Sequence, residues 1–348
     1  MLLEPLQQIV LEVTYRCNLK CVFCYNVWKA SEKPTGKEMD LEQIKKVVKR
    51  LPPTSRYVIS GGEPLMRRDI FEVLDFLKPR CEIISLLTNG LLITDENAPK
   101  LADPKVRVQI PIHGLKHKHD AAMGKGGAFR RMLETVAIMK RRGVRYTTTT
   151  VISKDNIEDL DDILEFSVAM GSKYLYLIRF LPGGAGLKHR ELLLSKDEVK
   201  RAYEILERKC KYYGLRGGVG VPNLPCIIDQ KPYKHISFSY CFAGKCWYTI
   251  DPEGNLRICN HSPTIYGNLL KDKFSDIIKH PTLTKLSKAH IYPPECKGCQ
   301  EVTECRGGCR AVAETMYGDL YGPDPLYRVM EENGGHQQWL DLRTKRSM

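Results

Sequence analysis

Two spacings of apolar residues alternate along this chain. Apolar, β-branched runs occupy 7–14 ("QQIVLEVT"), 57–60 ("YVIS"), 82–88 ("EIISLLT"), 105–112 ("KVRVQIPI"), 145–152 ("RYTTTTVI") and 174–180 ("YLYLIRF"), the pattern of strands. Between them the spacing turns helical. Leu41, Ile44, Val47, Val48 and Leu51 share one face of 40–51; 69–78 opens at a capping Asp69 and stops before Pro79; 127–142 and 156–170 end at Gly143 and Gly171. A shorter helix is expected over 94–101, and "SKDE" at 195–198 is a capping box opening a helix that runs to Gly214.

Six strand–helix units in succession predict an α/β fold with a parallel sheet, either doubly wound or closing toward a barrel. The loops after the strands carry "CNLKCVFC", "GGEP" (61–64), "NG" (89–90), "HG" (113–114), "SKDN" (153–156) and "PGGAG" (182–186). Such polar and glycine-rich signals at the C-terminal ends of strands mark the mouth where α/β sheets place their sites.

Composition narrows the possibilities. With 348 residues, 43% of them apolar, the chain can build a large domain and a smaller one without disulfide support. No stretch approaches the roughly 18 unbroken apolar residues of a membrane span, and "MLLEPLQQIVLEV" lacks a basic n-region, so a cytoplasmic protein is expected. In that reducing setting 13 cysteines point to metal or catalysis. A formal charge of +13 invites a nucleic-acid reading. It is weighed low, because the basic residues are scattered through amphipathic segments and no recognition module is evident.

The chemistry begins at "CNLKCVFCYN", residues 17–26, where C-x3-C-x2-C follows the first strand. Three thiolates from one loop hold three irons of a [4Fe-4S] cube and leave the fourth iron open. Zinc is the competing reading, with His113 or Cys81 as a borrowed ligand. The spacing, the following Tyr25 and "SGGEP" after the second strand resemble the radical S-adenosylmethionine superfamily. A scaffold that merely binds metal, or a basic nucleic-acid-binding protein, stays as the non-enzyme alternative. It has no need for a glycine pair beside a cluster, and zinc without iron in anaerobically prepared protein would favour it.

The resemblance implies a partial (β/α)6 barrel over 1–214 in which Cys17, Cys21 and Cys24 hold a [4Fe-4S] cluster. S-adenosylmethionine would chelate the open iron, and one electron, from a donor such as ferredoxin or flavodoxin, would cleave it to a 5′-deoxyadenosyl radical that abstracts a substrate hydrogen. By the same resemblance Gly61, Gly62 and Glu63 face the methionyl amino group, Phe23 lies near the adenine, and Gln109, His113, Thr150, Ser153 and Arg179 line the ribose and carboxylate. The chain departs from a common serine–x–aspartate–glycine turn with "PIHG", which leaves His113 as either a ligand contact or a turn residue.

The second half reads "CFAGKCWYTIDPEGNLRIC" from 241 and "CKGCQEVTECRGGC" from 296. After a barrel of this type the pattern resembles a SPASM domain, a small cysteine-rich extension holding auxiliary iron–sulfur clusters, here expected over 241–327 behind a Gly/Pro-rich bridge at 215–240. The resemblance assigns Cys241, Cys246, Cys259 and Cys309 to a first auxiliary cluster and Cys296, Cys299 and Cys305 to a second. A fourth cysteine normally follows downstream. This chain has "GDLYGPDPLY" there, ending in Tyr327, so the second cluster is expected to be open, absent, or ligated by a group such as Asp319, Asp324 or His336. Cys210 sits on an apolar stripe and Cys81 begins a strand, and both are expected to pack as small hydrophobes; Cys226 is a reserve ligand should Cys246 prove free, and 328–348 is a polar tail.

Relatives of this type modify peptide or protein side chains, assemble cofactors, or remodel tetrapyrrole side chains. Sulfatase maturases carry an aspartate directly after the cysteine matching Cys259; Asn260 here disfavours that assignment, while His261 is a candidate base. The cluster motif starts at residue 17, so no leader-recognition domain is expected before it and a leader would need a separate partner. The reading is an oxidoreductase acting on a peptide or protein side chain, with the tetrapyrrole alternative raised by "RFLPGGAG" and a small-molecule substrate kept open.

Overall fold

The computed structural model describes residues 6–29 and 37–327. Strands β1 (Leu6–Glu12), β2 (Thr54–Ser60), β3 (Ile83–Leu87), β4 (Val106–Pro111), β5 (Tyr146–Ile152) and β6 (Tyr174–Arg179) lie side by side in chain order, every neighbouring pair parallel. Ile9, Leu11, Ile59, Ile84, Leu86, Val108 and Ile110 are fully buried along them, which is why these strands read as apolar runs. The expected helices pack over the sheet as Leu41–Lys49, Ile70–Leu77, Ala98–Leu101, Ala128–Arg141, Leu160–Ala169 and Lys196–Tyr213.

The capping box at 195–198 forms: Ser195 Oγ accepts from Glu198 N–H (3.3 Å) and Glu198 Oε2 from Ser195 N–H (2.6 Å). Asp69 is a correction. It makes no side-chain cap bond, because its carboxylate is drawn to Arg67, 2.6 Å from Nε. A helix not expected from the pattern, His117–Met123, precedes Ala128–Arg141; its sequence "HKHDAAM" buries only His119 and Met123, so no apolar stripe announces it.

The stretch 215–240 adds two short parallel strands, β7 (Arg216–Val219) and β8 (Ile236–Phe238), beyond β6. At the opposite edge β9 (Trp247–Ile250) pairs parallel with β1, in register Gln8↔Trp247 to Leu11↔Ile250, and β10 (Asn255–Arg257) and β11 (Gly267–Asn268) continue antiparallel. Among the described residues the result is an open sheet of 11 strands in the order β11-β10-β9-β1-β2-β3-β4-β5-β6-β7-β8. The cysteine-rich half is thereby built onto β1, the strand that leads into the thiol loop. Cys210 is buried against Gly217, as its apolar stripe implies, and Cys81 is buried with Sγ 3.4 Å from Leu77 O. The tail 328–348, His336 included, lies outside the described residues.

Candidate active site

The continuation of β1 is fixed by the loop after β2. Gly62 N–H donates to Thr14 O (2.7 Å) and Glu63 N–H to Arg16 O (2.8 Å). No side chain fits in that approach: a Cβ on Gly62 would stand 2.1 Å from Arg16 O, and Gly61 beside it adopts φ +123°. From the loop after β6, Gly184 (φ +50°) closes on the far end, where a Cβ would meet Asn26 O at 2.2 Å, and Gly186 N–H donates to Cys24 O (3.3 Å). Cys17, Cys21 and Cys24 are thus carried on a backbone gripped from two sides, with Cys17, Cys21 and Phe23 resting on a small core of Leu19, Leu91, Met123 and Ala128.

Glu63 is spent within the protein. Its Oε1 accepts from Leu65 N–H (3.0 Å) and Thr88 Oγ1 (2.6 Å), its Oε2 from Asn89 N–H (2.8 Å), tying the β2 and β3 loops together. Burial pushes this carboxyl above the usual range against the pull of those bonds. Asn89, from the "NG" signal after the third strand, also donates from Nδ2 to Asn18 Oδ1 (2.7 Å) inside the thiol loop.

Phe23 meets His113 edge to face, ring centroids 4.4 Å apart. His113 is buried and its Nδ1 accepts from Val151 N–H (3.0 Å), which assigns the proton to Nε2; burial holds its pKa well below the ordinary value, so the ring is neutral. Around it Gln109 Nε2 donates to Thr149 Oγ1, Thr150 Oγ1 to Ile112 O (2.7 Å), and Asn156 Nδ2 to His113 O (2.9 Å) while its Oδ1 accepts from Ser153 N–H (2.9 Å). These residues form one wall near Phe23. Arg179 faces elsewhere: its Nη2 donates to Asp324 Oδ2 (2.6 Å) and Pro222 O (3.3 Å), both in the C-terminal half.

His261 comes from the other half of the chain and stacks on Tyr25, centroids 4.5 Å apart and planes 19° from parallel. Its Nδ1 is shielded from solvent, has no hydrogen-bond partner among the described residues, and faces Gly183, where a Cβ would lie 3.3 Å away. Burial, reinforced by Arg257, lowers its pKa to about 4, so it too is neutral. Arg257 is itself buried, paired with Glu12 at the end of β1 and donating to Ser262 O (2.9 Å). This contact between the halves was not legible in the sequence, since 236 residues separate Tyr25 from His261.

The C-terminal thiols gather in the same way. Cys259 packs with Cys309 against Leu181 and Val221 and also joins the core that holds Cys241, and Arg306 Nη1 reaches Ala243 O (3.3 Å) inside the 241–246 turn. Cys299 N–H donates to Cys296 O (3.1 Å), with Cys305 six residues on. Among the described residues no three His, Cys, Asp or Glu converge as a single metal ion requires. A four-iron cube is held from separate corners and does not need that convergence.

Whether these thiols suit such clusters is tested by their surroundings. Burial pushes the thiols of Cys259, Cys296 and Cys305 each up to about 12, which is unfavourable for bare thiolates. Opposing it, backbone N–H groups point at sulfur: those of Leu19 and Asn18 at Cys17, Asn26 at Cys24, His261 at Cys259, Gly307 and Gly308 at Cys305, and Val312 at Cys309. Buried sulfurs that collect N–H donors are the environment of ligated thiolates, so the residues fit iron–sulfur clusters.

Family models match in the same two places, the radical SAM superfamily over residues 11–167 and an iron-sulfur cluster-binding SPASM domain over 241–300. The chain belongs to the radical S-adenosylmethionine enzymes with a C-terminal SPASM domain. As such it holds a [4Fe-4S] cluster with S-adenosylmethionine, and auxiliary clusters. It is 28% identical over 331 residues to the mycofactocin maturase MftC of Mycolicibacterium smegmatis, covering 90% of this chain and 80% of that protein. It is 26% identical over 340 residues to the AdoMet-dependent heme synthase of Oleidesulfovibrio alaskensis, covering 91% and 86%. To the PqqA peptide cyclase of Bradyrhizobium diazoefficiens it is 26% identical over 334 residues, covering 91% and 84%. The fold matches the solved structure of anSMEcpe with bound AdoMet at TM-score 0.72 and 18% identity, over 97% of this chain and 99% of that one. No helix among the described residues is long and apolar enough to cross a membrane.

Proposed function

We propose that this radical S-adenosylmethionine enzyme acts on a side chain of a peptide or protein, taking its electron from a small donor such as a ferredoxin or flavodoxin. The observation that carries the reading is the Tyr25–His261 stack, which sets Cys259 of the first auxiliary set two residues from a ring lying against the residue after Cys24. Radical generation and electron removal then share one interior. The likeness to a PqqA peptide cyclase and a mycofactocin maturase over nine-tenths of the chain supports the peptide substrate class.

When bound, the reduced cluster and S-adenosylmethionine supply a 5′-deoxyadenosyl radical that removes a hydrogen atom from substrate. The protein's own part is to bind and to shield. Cys17, Cys21 and Cys24 hold the cluster; Phe23 and the neutral His113 wall off water beside it; Gly61, Gly62 and Glu63 seat the loops that border the methionyl group. Gln109, Thr150 and Ser153 line the wall behind His113, whereas Arg179 serves as the buried partner of Asp324 in place of a cofactor contact. His261 is the side chain we place as proton acceptor, on geometry alone: its shielded Nδ1 has no hydrogen-bond partner among the described residues.

The test is anaerobic reconstitution, reduction, and mass spectrometry of nucleoside and peptide products with candidate precursor peptides. 5′-Deoxyadenosine together with a peptide that has lost hydrogen supports the reading. Turnover of a tetrapyrrole carboxylate with no peptide product would shift it to the second reading, which the 26% identity to a heme synthase favours.

A further inference from the structure

The stretch between the two halves carries a cysteine that the ligand sets above leave out. Cys226 lines, with Cys296, a small cavity that is partly open to solvent and bordered by Gly307, Asp324 and Tyr327. Cys305 belongs to the same group: its Sγ lies 3.9 Å from Asn223 O, three residues before Cys226, and Cys226 packs against the apolar cluster that contains Cys305. A Cβ on Gly307 would stand 3.2 Å from Cys296 Sγ, so the thiol is seated on bare backbone at that side of the cavity.

Among the described residues, the two other candidates for the missing corner, Asp324 and Asp319, have partners of their own. Asp324 also borders the cavity, but its Oδ2 accepts from Arg179 Nη2 (2.6 Å) and Cys309 N–H (2.8 Å) and its Oδ1 from Leu326 N–H (2.9 Å). Asp319 is exposed and accepts from Tyr321 N–H (2.9 Å).

We propose that Cys226 supplies the fourth thiolate of the second auxiliary cluster, beside Cys296, Cys299 and Cys305. This rests on the reading of the C-terminal thiols as cluster ligands. The ligand that relatives place downstream is delivered here from upstream, through the segment that links β7 to β8. Of the 13 cysteines, one set of three and two sets of four then hold iron, and Cys81 and Cys210 remain as packing residues. A cube closed by four thiolates has no open iron, so this cluster passes electrons and does not bind substrate.

The test uses the full chain with Cys17, Cys21 and Cys24 changed to alanine, which removes the radical cluster from the signal. The parent and its Cys226→Ala, Cys226→Ser and Asp324→Ala derivatives are reconstituted anaerobically, assayed for iron and sulfide, and examined by EPR after mild oxidation. Cys226→Ala should lose about one iron per chain and gain a three-iron signal that the parent lacks, since an uncapped corner leaves first. Cys226→Ser keeps the volume and decides the matter if the alanine protein misfolds: retained iron with a displaced midpoint potential supports the ligand. Iron content and EPR identical to the parent in both Cys226 variants, or the three-iron signal appearing in Asp324→Ala instead, overturns the assignment. A parent that loads iron for a single cluster sinks the reading beneath it, a result recognisable because Cys226 is intact there.

Discussion

The thiol loop at residues 17–24 and the thiol region at 241–309 hold the same element in opposite ways. In the first, all the ligands sit within one short segment, which tertiary structure grips chiefly through close backbone approaches at Gly62 and Gly184, with a small core beneath it. In the second, sulfurs arrive from segments far apart in sequence, and buried arginines knit them together. Arg310, fully buried, donates from Nη1 to Leu320 O (2.9 Å) and Gly322 O (2.7 Å) and from Nη2 to Gly307 O (2.5 Å), stitching the turn after Cys305 to the chain that follows. A local ligand set can be held mainly by backbone contacts. A dispersed set needs long side chains that reach several carbonyls at once.

The largest expected effect breaks the comparison on the local side. Alanine at Cys17, Cys21 and Cys24 together should abolish 5′-deoxyadenosine formation while leaving auxiliary iron in place, measured by product analysis and iron content on the same sample. Arg310→Met tests the dispersed side. Removing the guanidinium strands several buried carbonyls and should cost about 3 kcal/mol in chemical denaturation, with iron lost from the C-terminal clusters before the radical cluster. Were both clusters lost in step, the two regions would not be independently held.

Gly62→Ala should follow, at about 2 kcal/mol, because its Cβ would press on Arg16 O with no flexible side chain to yield; the readout is thermal unfolding together with radical-cluster loading. Here the order of loss should reverse, the radical cluster going first. The smallest effect is reserved for Cys210→Ala, about 1 kcal/mol with iron content unchanged, since this thiol is buried among Leu206, Leu175 and Val219 as a core residue. Loss of iron from that variant would mean that the division of the cysteines is drawn in the wrong place.

Much of the architecture was written locally. Apolar runs separated by helical stripes announced β1 to β6 within a residue or three, and the paired spacings C-x3-C-x2-C and C-x2-C-x5-C-x3-C announced the chemistry. Asp69 shows where local reading stops: the residue type predicts a cap, yet a neighbouring Arg67, buried between Val13 O and Met39 O, claims the carboxylate. The helix His117–Met123 escaped notice for a related reason, having no apolar stripe to read.

Arg179 and Glu63 carry the lesson into the site. Both stand at strand ends where a cofactor contact was expected, and both find buried partners in other loops, because a charge withdrawn from water must be matched nearby. The pairings of β9 with β1, of His261 with Tyr25, and of Cys226 with Cys296 and Cys305 are likewise matters of long-range packing. Periodicity and thiol spacing are short-range properties, set by helix pitch, strand pleat and cluster size, and so the chain declares them residue by residue. Which distant segments share a wall depends on how whole apolar faces are buried together, and that is settled only when the sheet is assembled.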